Sequence, residues 1–310
     1  MFDNKIEIKD KALLYEHLYG FEHYTSGLTF TSLFMWKDLN NFRFDIINDF
    51  LCISGNSHLE YPDVQPFLFP PLPKDSVYDE AKLGETIDIL KDIFEEEGYV
   101  FNLRLLPFHM IDIFEKAKPN QLCFLDDRDN YDYVYYTKDL IELAGKKYHS
   151  KRNHLNHFVN NNAFKFVPFT REMSDECLEL NKKIATSKIM SSKEALLMKM
   201  EEEALKEAFN NYDECDFIGG VITINGKIEA FSLGSVLDRK TICVHIEKAN
   251  ADYRGIYQAI NNEFCKCFGK NYKYINREED MGLPGLRKAK LSYRPVFYTE
   301  KYICCFKDDL

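Results

Sequence analysis

The second half of the chain alternates between short β-rich apolar runs and longer stretches whose apolar residues recur with helical spacing. Asn225-Gly226 separates two of the runs, and this dipeptide is a strong signal for a two-residue hairpin turn. Ser191 and Glu194 have the spacing of a capping box at a helix start. The predicted order is strand 163–169, helices 172–187 and 192–209, strands 217–224, 228–236 and 241–249, helix 257–267, strand 272–276, helix 284–291 and strand 297–306.

The first half of the chain also predicts a mixture of helices and strands. Asn48-Asp49 lies between two β-rich runs and suits a hairpin turn. Apolar residues from Ile87 to Phe94 keep the spacing of an amphipathic helix, which Gly98 ends. The predicted elements are strands 42–47, 51–54 and 99–105 and helices 84–97 and 107–116. An acidic loop follows, so we expect a boundary near residues 125–140 and two domains, 1–135 and 136–310.

Composition limits the class of protein. The 310 residues are 45% apolar, 15% aromatic and 29% charged, without a low-complexity tract, which predicts a globular chain. The longest run without charge, 23–36, is too short and too polar to span a bilayer, and residues 1–7 do not resemble a secretory signal. We therefore expect a cytoplasmic protein, in which the nine cysteines are reduced thiols.

Charge is divided unevenly between the two halves. Residues 1–140 carry 13 Lys and Arg against 26 Asp and Glu, whereas residues 141–310 carry 27 against 24. A phosphate-bearing partner, such as a cofactor, RNA or an anionic lipid head group, is therefore expected at the second half. An acidic surface that favours solubility explains the asymmetry equally well from composition alone.

The order of elements in the second half resembles that of the GNAT acyltransferase fold. In that fold the strand before the central helix splays from its neighbour, and phosphate groups bind at the helix N-terminus. The resemblance implies an α/β (α+β) protein, and the first half is then a diverged copy of the same domain. The expected architecture is a tandem GNAT-like fold with two mixed-sheet domains.

Residues 145–158 form the most basic segment. Within 146–157 there are four Lys or Arg and three His but no acid, which suits phosphate binding. On a helix, Tyr148, Leu155 and Val159 share a face that packs, while a basic flank stays accessible. A solvated helix that connects the domains is the alternative. The candidate ligands are Lys147, Lys151, Arg152 and His154; no carboxylate or thiolate stands at metal-ligand spacing from the histidines.

A strand, a turn and a helix follow one another over residues 244–261. Free backbone N–H groups and the positive end of the helix dipole converge at Gly255, where Arg254 adds a bidentate donor and Tyr257 lies in the first helical turn. This arrangement predicts an anion site. Glu247, on the preceding strand, suits a general base, and a structural ion pair with a cation such as Arg287 is the alternative.

Opposite charges converge on residues 274–295. A strand end carries Asn276 and the acids, and a short helix places Arg287 and Lys290 on one face. In GNAT topology this loop lies beside the acyl-transfer centre, where Asp280 and the two cations would orient an aminoacyl or phosphate group. An internal ion-pair latch that holds the loop is the alternative.

These segments resemble a bacterial family of unassigned function that is itself similar to the C-terminal domain of phosphatidylglycerol lysyltransferase. The strings are GKKYHSKRN at 145–153, EKA at 247–249 with G-x-YQ-x-x-N at 255–261, and NREEDMG at 276–282 with GLRKAK at 285–290. The likeness extends to LTFTSLFMW at 28–36 and so covers nearly the whole chain. It implies that the N-terminal copy lacks an intact donor loop and that the C-terminal copy keeps the pocket.

The same resemblance implies an aminoacyl-tRNA as donor and an amine or lipid hydroxyl as acceptor. Glu247 and Asp280, identified above from their positions, are the candidate catalytic residues. No bound cofactor and no metal ion are expected. An acyl-coenzyme A donor is an alternative, although the usual acetyl-coenzyme A loop, Gln/Arg-x-x-Gly-x-Gly/Ala, has Asp252 and Tyr257 at its first and last positions here. A non-catalytic ligand-binding module on the same fold is a second alternative.

Overall fold

The computed structural model describes residues 2–19, 25–56, 65–186 and 191–309, apart from the side chain of Lys193. The chain divides into two compact units. Unit 1 comprises Met1–Asp132 and Thr299–Leu310, and unit 2 comprises Tyr133–Tyr298. Each unit contains one mixed sheet. Among the described helices, none is both long and apolar enough to cross a membrane.

Unit 1 contains an eight-stranded sheet in the order β1-β2-β3-β4-β6-β15-β7, with β5 paired to β3. The strands are β1 (Asn4–Lys5), β2 (Arg43–Ile47), β3 (Phe50–Gly55), β4 (Phe67–Leu68), β5 (Leu72–Pro73), β6 (Leu103–Pro107), β7 (Leu122–Asp126) and β15 (Lys301–Phe306). The helices are α1 (Lys11–Leu18), α2 (Phe30–Trp36), α3 (Glu80–Glu96) and α4 (Ile111–Ala117). Residues 23 and 24 of the long uncharged run lie outside the described residues.

Local sequence signals in unit 1 agree with the structure. Asn48 and Asp49 both have positive φ and connect β2 to β3, as the hairpin prediction requires. The predicted helix 84–97 is confirmed as α3, which begins earlier because the Asp79 side chain accepts from the Lys82 N–H at 3.0 Å. Helix α4 begins after a short 3₁₀ turn rather than at Pro107.

Unit 2 contains a seven-stranded sheet in the order β14-β8-β13-β12-β11-β10-β9. The strands are β8 (Asp132–Tyr136), β9 (Phe164–Pro168), β10 (Ile218–Ile224), β11 (Lys227–Val236), β12 (Thr241–Ala249), β13 (Tyr274–Asn276) and β14 (Phe297–Thr299). The helices are α5 (Thr137–Glu142), α6 (His149–Asn161), α7 (Ser174–Thr186), α8 (Ser192–Asn210), α9 (Ile256–Phe268) and α10 (Pro284–Leu291). Strands β12 and β13 are parallel, and α9 connects them.

Two local signals in the second half are confirmed as well. Asn225 and Gly226 form the turn between β10 and β11, and Ser191 and Glu194 make both hydrogen bonds of a capping box. The last residue of the predicted helix 172–187 lies outside the described residues. The single strand predicted over 297–306 is two strands, β14 in the unit 2 sheet and β15 in the unit 1 sheet. Periodicity identifies a strand but not its partners.

Helix α9 contributes to a hydrophobic core of unit 2 that lies next to the predicted anion site. Its buried residues pack with Phe158 of α6 and with residues of β10, β11 and β12. The predicted packing face of α6 is correct for Tyr148 and Leu155 but wrong for Val159, whose surface is 47% exposed. Tyr148 lies in a 3₁₀ turn before α6 and not in the α-helix itself, so the helical spacing counted from Tyr148 does not continue into α6. The buried residue near the end of α6 is therefore Phe158 and not Val159.

Candidate functional site

Six polar side chains of unit 2 lie together, and we name them the Arg277 cluster. They are Lys151 on α6, Glu247 on β12, Gln258 and Asn261 on α9, Arg277 after β13 and Tyr293 after α10. The short strand β13 stops opposite Cys243, whereas its parallel neighbour β12 continues to Ala249, and α9 begins shortly after β12 ends. The crevice at the carboxyl ends of parallel strands is where ligands bind in many α/β proteins.

Arg277 and Glu247 form the ion pair at the centre of this cluster. Arg277 Nη2 lies 2.9 Å from Glu247 Oε1, and Asn261 Nδ2 donates to Glu247 Oε2 at 3.2 Å. Only 13% of the Arg277 side chain and 10% of the Glu247 side chain are exposed. Burial acts to lower the pKa of Arg277, but the Glu247 carboxylate and weaker neighbours outweigh it, so this pKa is raised. The guanidinium therefore stays charged.

Lys151 adds a second cation to the cluster. Its Nζ lies 3.9 Å from the centroid of the Tyr293 ring, and Arg277 Cζ lies 5.0 Å from the same centroid. Among the described residues Lys151 forms no ion pair, and the Glu247 carboxylate is paired with Arg277. Burial lowers the pKa of Lys151 to about 8, with Arg277 adding to the shift and Glu247 opposing it. The cluster thus has excess positive charge in a poorly solvated place.

Tyr293 is fixed from two sides. Its backbone carbonyl accepts from the Tyr148 hydroxyl at 3.1 Å, and Gln258 lies beside its own hydroxyl. Burial raises the pKa of Tyr293, so the phenol is neutral and its ring faces the two cations without adding charge.

Two other basic candidates of the segment 145–158, Lys147 and Arg152, have local partners. Lys147 pairs with Asp139 at 2.9 Å on the surface. Arg152 donates to the carbonyls of Leu143 and Gly145, which lie between α5 and the 3₁₀ turn that precedes α6. Of the four side chains predicted to bind phosphate in this segment, only Lys151 joins the Arg277 cluster.

Gly255 is the N-cap of α9 and has a φ of 92°. A Cβ at this position would lie 2.1 Å from the His154 carbonyl oxygen and 3.1 Å from the Phe158 Cβ, so the glycine admits the backbone of α6. Arg254 beside it is exposed, and Tyr257 is partly buried against the hydrophobic core around α9. The backbone of α6, and not a ligand, therefore lies against Gly255, while Arg254 remains accessible to an anion.

Replacing Gly255 with alanine should destabilise the protein by more than about 1 kcal/mol, because the side chain meets a backbone oxygen and φ is positive. Urea denaturation followed by circular dichroism measures the change. Gly285→Ala is the matched control, since its added Cβ would have no atom of the described residues within 4 Å and the residue is in the first turn of α10. Equal stability of the two variants would contradict this account of the α6–α9 contact.

The loop that carries Arg277 is held by Asp280, Arg287 and Lys290. Asp280 is fully buried and accepts from Arg287 Nε and Nη2, each at 2.7 Å, from the Gly282 N–H at 2.9 Å and from the Tyr133 hydroxyl. Lys290 Nζ donates to the Arg277 carbonyl at 2.6 Å and to the Glu279 carbonyl. These contacts favour the latch alternative, in which the three side chains position the loop.

Asn276, the last residue of β13, also supports the loop that carries Arg277. It is fully buried, and its Oδ1 accepts from the Glu278 N–H at 2.7 Å.

The Arg287 partner suggested for Glu247 is wrong, because Arg287 pairs with Asp280 and the partner of Glu247 is Arg277. The sequence analysis missed Arg277 and Tyr293 as site residues, although Arg277, Gln258 and Asn261 stand in the strings that carried the family resemblance.

Replacing Arg287 with alanine should lower the free energy of unfolding by about 1–3 kcal/mol at neutral pH, because the buried Asp280 carboxylate loses its bidentate partner. Burial acts to raise the pKa of Asp280, but Arg287, Tyr133 and Gly282 outweigh it and the pKa is lowered. The pair therefore stabilises the fold above the unfolded carboxyl pKa of about 4, and its contribution is lost as the pH falls further.

Denaturation of wild type and variant across the acid range checks this prediction. The difference in stability should be largest near pH 7 and should shrink below about pH 4. Lys288→Ala, an exposed cation on the same helix, is the control and should change little. A difference that is independent of pH would show that Arg287 does not act through the Asp280 carboxylate.

Comparison with known proteins gives a consistent result. A family model described as phosphatidylglycerol lysyltransferase, C-terminal, matches residues 20–305. A conserved protein of unknown function from Bacteroides thetaiotaomicron has a similar structure, with a TM-score of 0.87 and 32% identity over 99% of this chain and 100% of that chain. The structure of L-PGS from Bacillus licheniformis matches with a TM-score of 0.65 and 14% identity, over 99% and 94% of the two chains.

A curated protein matches as well. An uncharacterised protein of Mycoplasmoides gallisepticum is 23% identical over 251 residues, which are 79% of this chain and 76% of that protein. Together with the two mixed sheets, the similarities show the tandem GNAT-like acyltransferase fold that the order of elements implied.

Proposed function

Since the chain belongs to the family of the phosphatidylglycerol lysyltransferase C-terminal domain, we propose that it transfers an aminoacyl group from an aminoacyl-tRNA to an amine or hydroxyl acceptor. Family and fold both relate the chain to GNAT-like acyltransferases. The observation that carries the proposal is the arrangement of Lys151 and Arg277. Two cations and one carboxylate lie beside the second half of β12, beyond the point where β13 stops pairing with it. This charge suits a carbonyl oxygen that becomes negative during acyl transfer.

The reaction needs positioning more than activation, because the donor ester is already reactive. The acceptor nitrogen or oxygen attacks the ester carbonyl carbon and forms the new bond, and the bond to the tRNA ribose oxygen breaks. The proton lost by the acceptor ends on that ribose oxygen. Lys151 and Arg277 stabilise the negative charge on the carbonyl oxygen in the transition state.

Glu247 and Asp280 then act as positioning residues in this proposal. Both Glu247 oxygens accept hydrogen bonds, one from Arg277 and one from Asn261, which fixes the guanidinium. Asp280 fixes the loop that carries Arg277. Arg254, exposed beside α9, is a candidate contact for the donor phosphates.

A transfer assay tests the proposal. The full chain is incubated with tRNA that carries a labelled amino acid, together with amines, hydroxyl compounds or vesicles that contain phosphatidylglycerol. We expect the label to move from the tRNA to one acceptor class. Labelled acetyl-coenzyme A is the parallel donor: transfer from it alone would replace the proposed donor, and transfer from neither would favour a binding module.

A further inference from the structure

A second polar cluster of unit 2 lies outside the Arg277 cluster and was not singled out by the sequence. We name it the His245 cluster; it consists of Cys243 and His245 on β12 and Glu278 after β13, with Ser235 on β11 beside them. The thiol, one ring nitrogen and a carboxylate oxygen lie within 4.8 Å of one another. The His245 side chain is fully buried, whereas 18% of the Glu278 side chain is exposed.

The distances within the His245 cluster are short. His245 Nδ1 lies 2.7 Å from Glu278 Oε1, and Cys243 Sγ lies 3.7 Å from the same oxygen. On the other side of the ring, His245 Nε2 lies 2.7 Å from Ser235 Oγ. Ser235 is only 1% exposed, so this hydroxyl supports the ring and is not an accessible nucleophile.

Two departures from regular backbone structure place these side chains. In the pairing of β11 with β12, Leu233 is opposite Ile246 and Gly234 is opposite Val244, so His245 is the extra residue of a bulge. Bulges redirect side chains and are frequent beside functional sites. Glu278 has a φ of 58°, an unfavourable conformation for a glutamate, and its N–H donates to Asn276 Oδ1 at 2.7 Å.

We propose that Cys243, His245 and Glu278 bind a thiophilic divalent metal ion, with Zn²⁺ as the best fit. Thiolate, imidazole and carboxylate are the ligand types that Zn²⁺ uses in proteins, whereas Mg²⁺ and Ca²⁺ prefer oxygen. Tetrahedral coordination with bonds of about 2.0–2.3 Å separates the ligand atoms by roughly 3.3–3.7 Å. Each observed separation lies within about 1 Å of that range, so small side-chain shifts complete the site.

Proton positions in the His245 cluster are compatible with this role. His245 would bind the metal ion through an unprotonated Nδ1. Its Nε2–H then donates to Ser235 Oγ at the observed distance. Such a hydrogen bond from the second ring nitrogen is typical of histidine ligands. Cys243 loses its proton on binding. Three protein ligands leave a fourth position for water on the side where Glu278 reaches solvent.

Isothermal titration calorimetry of the chelator-treated full chain with Zn²⁺ tests the site directly. We expect one equivalent to bind, and Co²⁺ in its place to give a thiolate-to-cobalt absorption band. Cys243→Ser and Glu278→Gln should abolish tight binding, and Ser235→Ala should weaken it about 10- to 100-fold. Cys267→Ser, which removes an exposed thiol outside the His245 cluster, is the matched control and should bind like wild type.

Circular dichroism and the metal-free melting midpoint of each variant show whether it folds. Glu278→Gln keeps the size of the side chain, so it preserves the test if Cys243→Ser does not fold. The proposal is overturned if the wild type binds no Zn²⁺ or if the folded ligand variants bind as tightly as wild type. It is also overturned if Cys267→Ser loses the binding, because the exposed thiol would then be the ligand.

Discussion

Replacing Lys151 with methionine should lower the rate of aminoacyl transfer by about 10²- to 10³-fold, the usual effect of removing one preorganised group that stabilises the transition state. The methionine stem keeps the packing on Tyr293 but removes the charge. Because the folded state lowers the pKa of Lys151 from 10.5 to about 8, stability falls as the pH drops between these two values, and the full cost of charging this lysine is present at pH 7. The variant should therefore be at least as stable as wild type at pH 7.

Single-turnover transfer and urea denaturation measure the two quantities separately. Lys151→Arg is the matched control, since arginine stays charged. Donor binding by wild type should weaken as the pH rises through about 8, where the ammonium loses its proton, and this dependence should be absent in Lys151→Arg. An unchanged transfer rate in Lys151→Met would remove Lys151 from the site.

Replacing Arg277 with methionine should destabilise the protein by about 3–5 kcal/mol, because Glu247 would be left as a nearly buried charge without its ionic partner. Among the residues that the structure describes, Asn261 would be the remaining hydrogen-bond donor to this carboxylate. The expected loss is larger than for Arg287→Ala because the Arg277 side chain is much less exposed than that of Arg287, 13% against 34%. Chemical denaturation at pH 7 gives the value.

The double variant Glu247→Gln with Arg277→Met separates charge from packing. It removes both charges, so most of the lost stability should return. Transfer should stay low in the double variant, because the guanidinium is still absent. A loss of less than about 1 kcal/mol in the single variant would indicate a solvated pair of the kind that contributes little to stability.

Much of the fold could be predicted from the sequence because its signals are local. The turn at Asn225-Gly226 and the capping box of Ser191 and Glu194 each depend on residues that are neighbours in the chain. The assignment of β15 to the unit 1 sheet depends on partners far away in sequence, β6 and β7. No periodicity within residues 301–306 contains that information.

The candidate site shows the same limit. Lys151 was identified because it lies in a segment rich in positive charge, but Lys147 and Arg152 share that signal and have local partners. Arg277 and Glu247 are 30 residues apart and meet only because β12 and β13 are parallel neighbours. The bulge at His245 likewise follows from the register of two strands and has no mark in the sequence.

Equilibrium binding of charged and uncharged tRNA tests the central claim most directly, namely that the Arg277 cluster recognises the aminoacyl ester of the donor. Wild type should bind the aminoacyl-tRNA about tenfold more tightly, which corresponds to about 1.4 kcal/mol. Lys151→Met should bind both forms equally. Equal binding of the two forms by wild type, or a preference that Lys151→Met retains, would contradict the claim.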